Sequence, residues 1–246
     1  MTKKILPNFI YNSLKKIYFS CIYTYQFLKV KKLFIKNSRF SFLWSDRYPQ
    51  LYDRTSNTNF DRHYIYHPAW AARIIKKINP KKHIGISSTL NFCSIISAFV
   101  PVEFYDYRPA DLKLSNLETK KGDLLQLPFQ DNSIESISCM HTVEHVGLGR
   151  YGDPIDPDGD LKAINELKRV IAPNGSLLFV VPIGKAKIMF NAHRIYSYEQ
   201  ILKYFCDLKL EEFSLIPEFS GGIIQNASKA GADNETYACG CFWFKK

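Results

Sequence analysis

The sequence predicts an α/β protein, with a doubly wound, mostly parallel sheet and helices on both faces, behind an N-terminal helical arm. From residue 68 onward, short strand-like runs alternate with helical runs, which is typical of a parallel sheet. Residues 1–48 hold ten basic residues against one acidic residue, so the formal net charge of +10 belongs mainly to the arm. We therefore predict a basic, aromatic-rich arm and linker over residues 1–67 and one α/β domain over residues 68–246.

Composition excludes several classes of protein. The 246 residues are 46% hydrophobic and 15% aromatic, enough for a sizeable core and too apolar for a disordered chain. There is no run of about 18 uncharged apolar residues, which excludes a polytopic membrane protein. Six scattered cysteines and the lack of a cleavable signal pattern predict the reducing cytoplasm. The nearly neutral domain carries no nucleic-acid-binding signature, so we expect no nucleic-acid partner.

The arm allows two interpretations. Residues 5–36 mix aromatic and aliphatic side chains with lysine pairs at helix-like spacing. The uncharged run Ile17–Leu28 is too short to span a bilayer, but it suits a helix lying in the interface with its lysines toward anionic headgroups. The alternative is a helical hairpin packed on the domain. On the first interpretation, residues 1–40 bind an anionic membrane surface or a partner protein, and the protein is peripheral on the inner face of the membrane.

Regular elements follow along the domain. Pro68 is expected in the first turn of a helix that Asn79 and Pro80 end. A late run, Ser197–Gln200, matches a capping box at a helix start. The predicted strands are His83–Ser87, Val102–Asp106, Ile134–Met140, Ser176–Val181 and Tyr237–Phe244, and the predicted helices are Asn91–Phe99 and Leu161–Ile171.

The carboxyl ends of the first strands should carry the ligand site. Small residues from Gly85 to Thr89 let the chain approach a cofactor. Asp106 follows Gly85 by 21 residues, close to the ~20 at which an acid reaches ribose hydroxyls in nucleotide-binding folds. Asp123 is placed to accept a hydrogen bond from a purine, and Leu124 is placed to pack on the purine ring. A strand-ending aspartate such as Asp106 also serves as a cap or turn residue, and that alternative stays open.

Five segments carry a family resemblance: Asp123–Phe129, Asn132–Ile137, His141–Val146, Glu166–Gly175 and His193–Gln200. They are similar to the region of strands three to five and the late helix start of Rossmann-like S-adenosylmethionine-dependent methyltransferases. The resemblance covers roughly residues 80–220, and its central part also resembles a methyltransferase-like family known only as a domain of unknown function.

The resemblance implies S-adenosylmethionine as cofactor and places residues around it. Gly85 corresponds to the methionine end and Asp106 to the ribose hydroxyls. Asp123 and Leu124 correspond to the adenine site, and His141 would face the methionine or the substrate.

The first motif departs from the family pattern. The family usually has several glycines where this chain has Gly85, Ser87 and Ser88. We keep Gly85 and Ser87 as cofactor-binding candidates, with the cofactor's affinity and identity in question.

Histidines supply candidate bases for the reaction. Transfer of a methyl group to a hydroxyl needs a base, or a metal that lowers the hydroxyl pKa. His141 and His145 stand four residues apart around Glu144, and His193 follows the fifth strand as an alternative. The alternative is that His141 or His145 has only a structural role and caps the end of a strand by a hydrogen bond.

Two loops should form the rim of the site. The loop from residue 147 to 160 is rich in glycine, proline and aspartate, and its oxygens suit Mg²⁺ or Ca²⁺. The full calcium-loop spacing is absent, so a divalent metal is not favoured, and Asp158 or Asp160 also suits a helix cap. Lys185, Lys187 and Arg194 in the second loop would recognise a carboxylate or phosphate, or are simply solvated. The substrate-binding candidates are Glu144, Arg150, Tyr151, Asp153, Asp156 and Arg194.

The resulting hypothesis is methyl transfer to an oxygen of a saccharide or other polar metabolite, in surface glycan biosynthesis. The alternative is a non-catalytic relative that binds a glycan or a partner protein. A nicotinamide enzyme is disfavoured because the three-glycine fingerprint is missing. Cys239 and Cys241 should share one strand face, but zinc is not favoured there without a second cysteine pair.

Overall fold

The computed structural model describes residues 8–34, 39–87 and 89–246, and it divides into two compact units, residues 1–59 and 60–246. In the first unit, α1 (Asn8–Phe34) is one continuous helix. The expected helical hairpin is therefore wrong, because this stretch contains no glycine or proline that would break the helix. Phe27 stacks on Phe42 at a centroid distance of 4.7 Å, within the same unit. No helix in the described ranges is long and apolar enough to cross a bilayer.

The second unit opens with α2 (Arg62–Ile78), which begins earlier than the sequence predicted. The side chain of Asp61 accepts a hydrogen bond from the backbone N–H of Tyr64 and caps the helix. Pro68 therefore lies inside the helix and not in its first turn, and the start of α2 falls in the segment predicted to be a linker. The stop at Asn79 is confirmed, since this residue adopts the left-handed conformation with φ of 46°.

A seven-stranded sheet organises the domain, in the order β3-β2-β1-β4-β5-β9-β8. Among these described strands, β9 runs antiparallel to both neighbours and the other pairings are parallel. This confirms the predicted fold class, and three predicted strands have the bounds observed for β1, β2 and β4. The strands are β1 (His83–Ser87), β2 (Val102–Asp106), β3 (Leu117–Lys121), β4 (Ile134–Met140), β5 (Ile171–Ile183), β8 (Lys209–Ile216) and β9 (Ala238–Lys245).

Four further helices and a small hairpin complete the unit. Ser197 caps α5 through a capping box with Gln200, as predicted. Asp158 occupies the N-cap position of α4 without a side-chain hydrogen bond to the first turn, so the predicted cap is only positional. The elements are α3 (Leu90–Ile96), α4 (Gly159–Val170), α5 (Tyr198–Tyr204), α6 (Lys229–Asp233), and the hairpin strands β6 (Lys187–Met189) and β7 (His193–Ile195).

Helices cover both faces of the sheet. One buried cluster joins the sheet to α4 and α5, and the other joins it to α2 and α3. The strand order reverses between β1 and β4, and ligands bind in open α/β sheets outside the carboxyl ends at such a reversal. The topology thus places any ligand site beside the ends of β1, β2 and β4.

Gly85 lets α3 pack closely on β1. A Cβ atom at this position would lie 2.6 Å from the Sγ of Cys93 and 3.5 Å from the Cδ2 of Phe104. The first distance is shorter than real Cβ contacts, and both neighbours are buried. The glycine is therefore required by packing between a strand and a helix.

We predict that Gly85→Ala destabilises the protein by about 1–3 kcal/mol, the usual cost of overpacking a core. Combining it with Cys93→Ala removes the colliding sulfur, so the double variant should be more stable than the sum of the two single effects. Urea denaturation of the wild type, both single variants and the double variant measures this coupling. Strictly additive free energies of unfolding would show that Gly85 and Cys93 do not oppose each other.

Candidate active site

A cavity of about 310 Å³ opens at the carboxyl ends of β1, β2 and β4. Its volume lies at the lower end of the roughly 300–1,000 Å³ that small-molecule pockets occupy. Apolar walls are interrupted by a few acidic and imidazole groups, the usual composition of such pockets. The predicted site residues that line this first cavity are Asp106, Asp123, Leu124, His141, His145, Tyr151 and Asp153.

Two acidic residues stand at one side of the first cavity. Asp106 ends β2, and its Oδ1 accepts the backbone N–H of Arg108 at 2.8 Å. Asp123 follows β3, and its Oδ1 accepts the backbone N–H of Leu125 at 2.8 Å. Each carboxylate therefore orders its own turn while lining the cavity. Leu124 lies between them in the wall and is buried.

The two cofactor-binding candidates of the first motif, Gly85 and Ser87, belong to β1. Gly85 lies inside β1, paired with Phe104 and Ser138, and it is not among the residues that line the cavity. The expected contact of Gly85 with a cofactor is thus not provided by this geometry, because its open side is filled by α3. Ser87 ends β1 beside Met140, but its side chain, like all of Ser88, lies outside what the structure describes.

A second, more polar cavity of about 700 Å³ adjoins the first. His141, His145 and Tyr151 line both cavities, so the two meet at these side chains. Residues from the start of α2, from the end of β5 and from the segment before β9 form the remaining wall. The other lining residues are Phe60, Asp61, Arg62, His63, Tyr64, Glu144, Arg150, Pro182, Ala192, His193, Glu218 and Tyr237.

His141 and Glu144 form a buried pair where the cavities meet. The Nδ1 of His141 lies 2.8 Å from the Oε1 of Glu144, and both side chains are almost fully buried. His141 adopts a left-handed backbone with φ of 53°, a conformation that costs energy for a residue with a side chain. Burial opposes the charged imidazole, but Cys239 and Glu144 outweigh it and raise the pKa of His141 to about 10. A protonated His141 is a poor proton acceptor.

His145 and His193 both line the second cavity, with their ring centroids 6.3 Å apart. The Nδ1 of His145 donates to the backbone carbonyl of Ala192 at 2.6 Å, which orients its Nε2 toward Glu144 at 4.0 Å. The ring of His193 stacks on Tyr237 at 5.2 Å. Within the described part of the chain, the buried Nε2 of His193 has no hydrogen-bond partner. Burial lowers the pKa of His193, which keeps the ring neutral and able to accept a proton.

The glycine-rich rim loop is held by its own aspartates. The carboxylate of Asp153 accepts backbone N–H groups of Gly147, Gly149 and Tyr151. Although burial opposes it, these bonds lower the pKa of Asp153. Asp156 pairs with Lys162 at 2.6 Å. Both aspartates, predicted to bind substrate, are therefore engaged in shaping the loop.

Of the remaining substrate-binding candidates, Arg194 does not line a cavity, whereas Arg150 and Tyr151 do. Arg194 is buried and donates to the carbonyl oxygens of Val146 and Pro157, so it fastens the rim and does not reach into a cavity. Arg150 donates to the carbonyl of Ala192 and lies over the Tyr151 ring at 5.1 Å. Arg150 and Tyr151 remain partly exposed on the wall of the second cavity, where an acceptor would sit.

Sequence reasoning missed the contribution of α2 and β9. His63, Tyr64 and His67 bring three rings to within 5.5 Å of the His141 ring, and the Sγ of Cys239 lies 3.5 Å from the Nε2 of His141. The available signal was Asp61 as a helix cap followed by histidines four residues apart. It was overlooked because those histidines stand where core residues are usually apolar.

Comparisons with known proteins agree with this geometry at the level of fold. A family model described as "Caenorhabditis protein of unknown function, DUF268" matches residues 125–227. An uncharacterised protein of Methanocaldococcus jannaschii is 28% identical over 111 residues, which is 43% of this chain. The chain matches only 42% of the length of that relative.

Solved structures extend the likeness across most of the chain. A Galdieria sulphuraria protein assigned as a sarcosine dimethylglycine methyltransferase superposes with a TM-score of 0.51 and 16% identity, covering 73% of this chain and 84% of its own. The Bradyrhizobium japonicum N-methyltransferase NodS, solved with S-adenosylhomocysteine, gives 0.50 and 12%, covering 73% and 85%. A Haloferax volcanii complex of the Trm112 methyltransferase activator with its partner gives 0.52 and 16%, covering 75% and 90%. The chain thus has the Rossmann-like fold of S-adenosylmethionine-dependent methyltransferases.

The protonation state of His193 can be predicted. Because burial disfavours the imidazolium, the ring should lose its proton below the ordinary pKa of 6.5 and be neutral at pH 7. Nitrogen NMR of labelled protein, with His193→Gln to assign the signal, should show a titration midpoint below 6.5. A midpoint at or above 6.5 would mean that His193 is charged or solvated and is not held as a base.

Proposed function

We propose that this protein is an S-adenosylmethionine-dependent methyltransferase acting on an oxygen of a saccharide or other polar metabolite. The observation that carries the proposal is the pair of cavities that meet at His141, His145 and Tyr151. A methyl donor in one cavity and an acceptor in the other would have their reacting atoms at this junction. Holding two reactants in that relation can supply about 7–11 kcal/mol of the activation barrier.

The first cavity suits the cofactor. The turn uses the Oδ1 of Asp106, so its Oδ2 is placed to accept a ribose hydroxyl, and Asp123 with Leu124 offers an acceptor beside an apolar surface for the adenine. S-adenosylmethionine, when bound, supplies a methyl group on a positively charged sulfur. The carboxylates of Asp106, Asp123 and Asp153 in the lining favour that positive charge, whereas Arg108 opposes it.

The second cavity suits a polyhydroxylated acceptor. Its wall combines Glu144, Arg150 and His193 with the rings of Tyr64 and Tyr237. Hydroxyl groups can bond to the charged and imidazole groups, while the apolar face of a sugar ring can pack on aromatic rings. The buried Oε2 of Glu144 has no partner among the described residues, which leaves an acceptor for a substrate hydroxyl.

His193 is the best placed base of the three histidines proposed from the sequence. Its neutral ring and unpartnered Nε2 allow it to take the proton of the acceptor hydroxyl. His145 is the second candidate, because its Nδ1 is fixed on Ala192 and its Nε2 is the remaining acceptor. We assign His141 a positioning role, since its proton is shared with Glu144.

The alternative, a non-catalytic protein, is supported by one departure from the methyltransferase sequence pattern. The first motif lacks the usual glycines, and Gly85 serves packing instead of the cavity. The acids at the ends of β2 and β3 nevertheless line the cavity, as a nucleoside-binding site requires. Their presence favours an active enzyme over a glycan- or protein-binding relative.

The first test is calorimetric titration with S-adenosylhomocysteine. We expect wild-type protein to bind it, and Asp106→Asn to weaken binding about 10-fold or more, because a hydrogen bond to a charged group contributes about 1.5–3 kcal/mol. Asparagine keeps the acceptor that orders the turn, so the variant removes charge and not structure. Asp111→Asn, at an exposed aspartate, is the matched control and should bind normally.

The outcomes separate the alternatives. Binding of neither S-adenosylhomocysteine nor NAD would favour the non-catalytic protein, and binding of NAD alone would favour a nicotinamide enzyme. Equal affinities of wild type and Asp106→Asn would contradict the assignment of Asp106 to the ribose.

The exposed apolar side chains of α1 support a location on the cytoplasmic side of a membrane, where lipid-linked saccharides would be substrates. Phe9, Tyr18, Tyr25 and Leu28 are each more than half exposed. Exposed lysines flank the uncharged run Ile17–Leu28 on both sides. Apolar side chains among lysines suit the boundary between acyl chains and anionic headgroups. A partner protein with an acidic, apolar groove is the other occupant proposed for residues 1–40.

We predict that the full-length protein sediments with phosphatidylserine vesicles and not with phosphatidylcholine vesicles. High salt should release it, because the screening length falls from about 10 Å at 0.1 M to about 3 Å at 1 M ionic strength. Replacing Lys29, Lys31 and Lys32 by glutamate should abolish sedimentation. The matched control is the same change at the exposed Lys76, Lys81 and Lys113 of the second unit. Equal loss in both triple variants would argue against a role specific to α1.

A further inference from the structure

Three potential metal ligands converge beside the second cavity. They are His63 from the first turn of α2, His141 just after β4, and Cys239 from β9. Their ligand atoms all lie within 4.8 Å of one another, and all three side chains are buried. Three elements distant in sequence thus deliver one donor each to a single point, which an incidental surface cluster would not do.

The distances resemble those of a tetrahedral zinc site. The Sγ of Cys239 lies 3.5 Å from the Nε2 of His141. Zinc–sulfur bonds of about 2.3 Å and zinc–nitrogen bonds of about 2.0–2.1 Å place such ligand atoms about 3.6 Å apart. His63 stacks nearly parallel to His141, at an interplanar angle of 9°, and its ligand atom lies within 4.8 Å of those of His141 and Cys239.

Glu144 supplies the outer support that histidine ligands normally have. It holds the Nδ1 of His141 at 2.8 Å, which turns the Nε2 of His141 toward Cys239. A carboxylate behind a ligating histidine fixes the ring and makes it a better donor. The other oxygen, Oε2, is fully buried in the wall of the second cavity without a partner among the residues described.

We propose that His63, His141 and Cys239 bind a divalent ion of the zinc type, with an open coordination position toward the second cavity. One thiolate and two imidazoles favour zinc over magnesium or calcium, which prefer oxygen ligands. Three protein ligands with one open position are typical of catalytic and not structural zinc sites. Cys241, with its Sγ 3.9 Å from that of Cys239, lies outside the group of three.

The ion would act on the acceptor if the proposed methyl transfer is correct. A hydroxyl bound at the open position would lie in the cavity that His193 also lines, and the nearby positive charge would lower the pKa of that hydroxyl. This role rests on the proposed function, whereas the metal site itself does not.

Metal analysis tests the site without an activity assay. Full-length protein, purified without affinity tags that bind metal and dialysed against buffer containing zinc and then against buffer alone, should retain about one zinc per chain by mass spectrometry. Cys239→Ser and His63→Gln should each reduce zinc at least tenfold. Cys206→Ser, at an exposed cysteine far from the cluster in the sequence, is the matched control and should retain it.

Cobalt provides a second signature that does not depend on the amount bound. Protein loaded with Co²⁺ should show a thiolate-to-cobalt charge-transfer band, and Cys239→Ser should lose it while circular dichroism shows that the variant is folded. Absence of zinc and of this band in folded wild-type protein would overturn the proposal, as would a band that survives Cys239→Ser. Zinc retention by a protein that does not bind S-adenosylhomocysteine would support the site and contradict the proposed methyl transfer.

Discussion

The hydrogen bond between His141 and Glu144 is the interaction on which the rest of the site depends. It lies directly after β4, where the reversal of strand order opens the sheet to a ligand. The bond holds a left-handed His141 in the wall that both cavities share. A charged partner in that position is needed, because a buried carboxylate without one would cost several kcal/mol. The pair therefore couples the geometry of the cofactor side to that of the acceptor side.

Elements that are distant in sequence position the residues at the junction of the two cavities. The Asp61 cap sets the start of α2 and so brings His63 and Tyr64 over His141. Antiparallel β9, paired with β5 along its length, delivers Cys239 to the Nε2 of His141. Arg194 ties the hairpin of β6 and β7 to the rim loop, which positions His193 beside the second cavity. The chemistry thus depends on contacts between residues nearly 180 positions apart.

Much of the fold was predictable because its signals are local. The strands Val102–Asp106 and Ile134–Met140 are short runs that mix apolar with polar residues, and their observed bounds match the predicted ones. Asp106 and Asp123 could be placed near the ligand site, because ligands of a parallel sheet bind at the carboxyl ends of its strands. Gly85 could not be assigned correctly, because its need for a small residue comes from α3 packing, and local sequence does not reveal tertiary contacts.

The acceptor side was predicted less well for the same physical reason. His141, His145 and His193 were recognised as a group, but the opposite pKa shifts of His141 and His193 depend on burial and on the neighbouring Glu144 and Cys239. Asp153 and Arg194 were read as substrate ligands because charged loop residues usually face solvent. Here their charges are taken up by backbone groups of the rim. The start of α2 was missed because histidines, and not apolar residues, form its buried face.

The most direct test of the central claim is a crystal structure of the protein grown with S-adenosylhomocysteine. If the first cavity binds the cofactor, electron density will lie in the cavity at the ends of β1, β2 and β4, with the ribose on Asp106 and the adenine beside Asp123 and Leu124. The sulfur should lie at the junction with the second cavity, near His145. Density for the ligand in any other place, or an empty cavity at saturating ligand, would contradict the account.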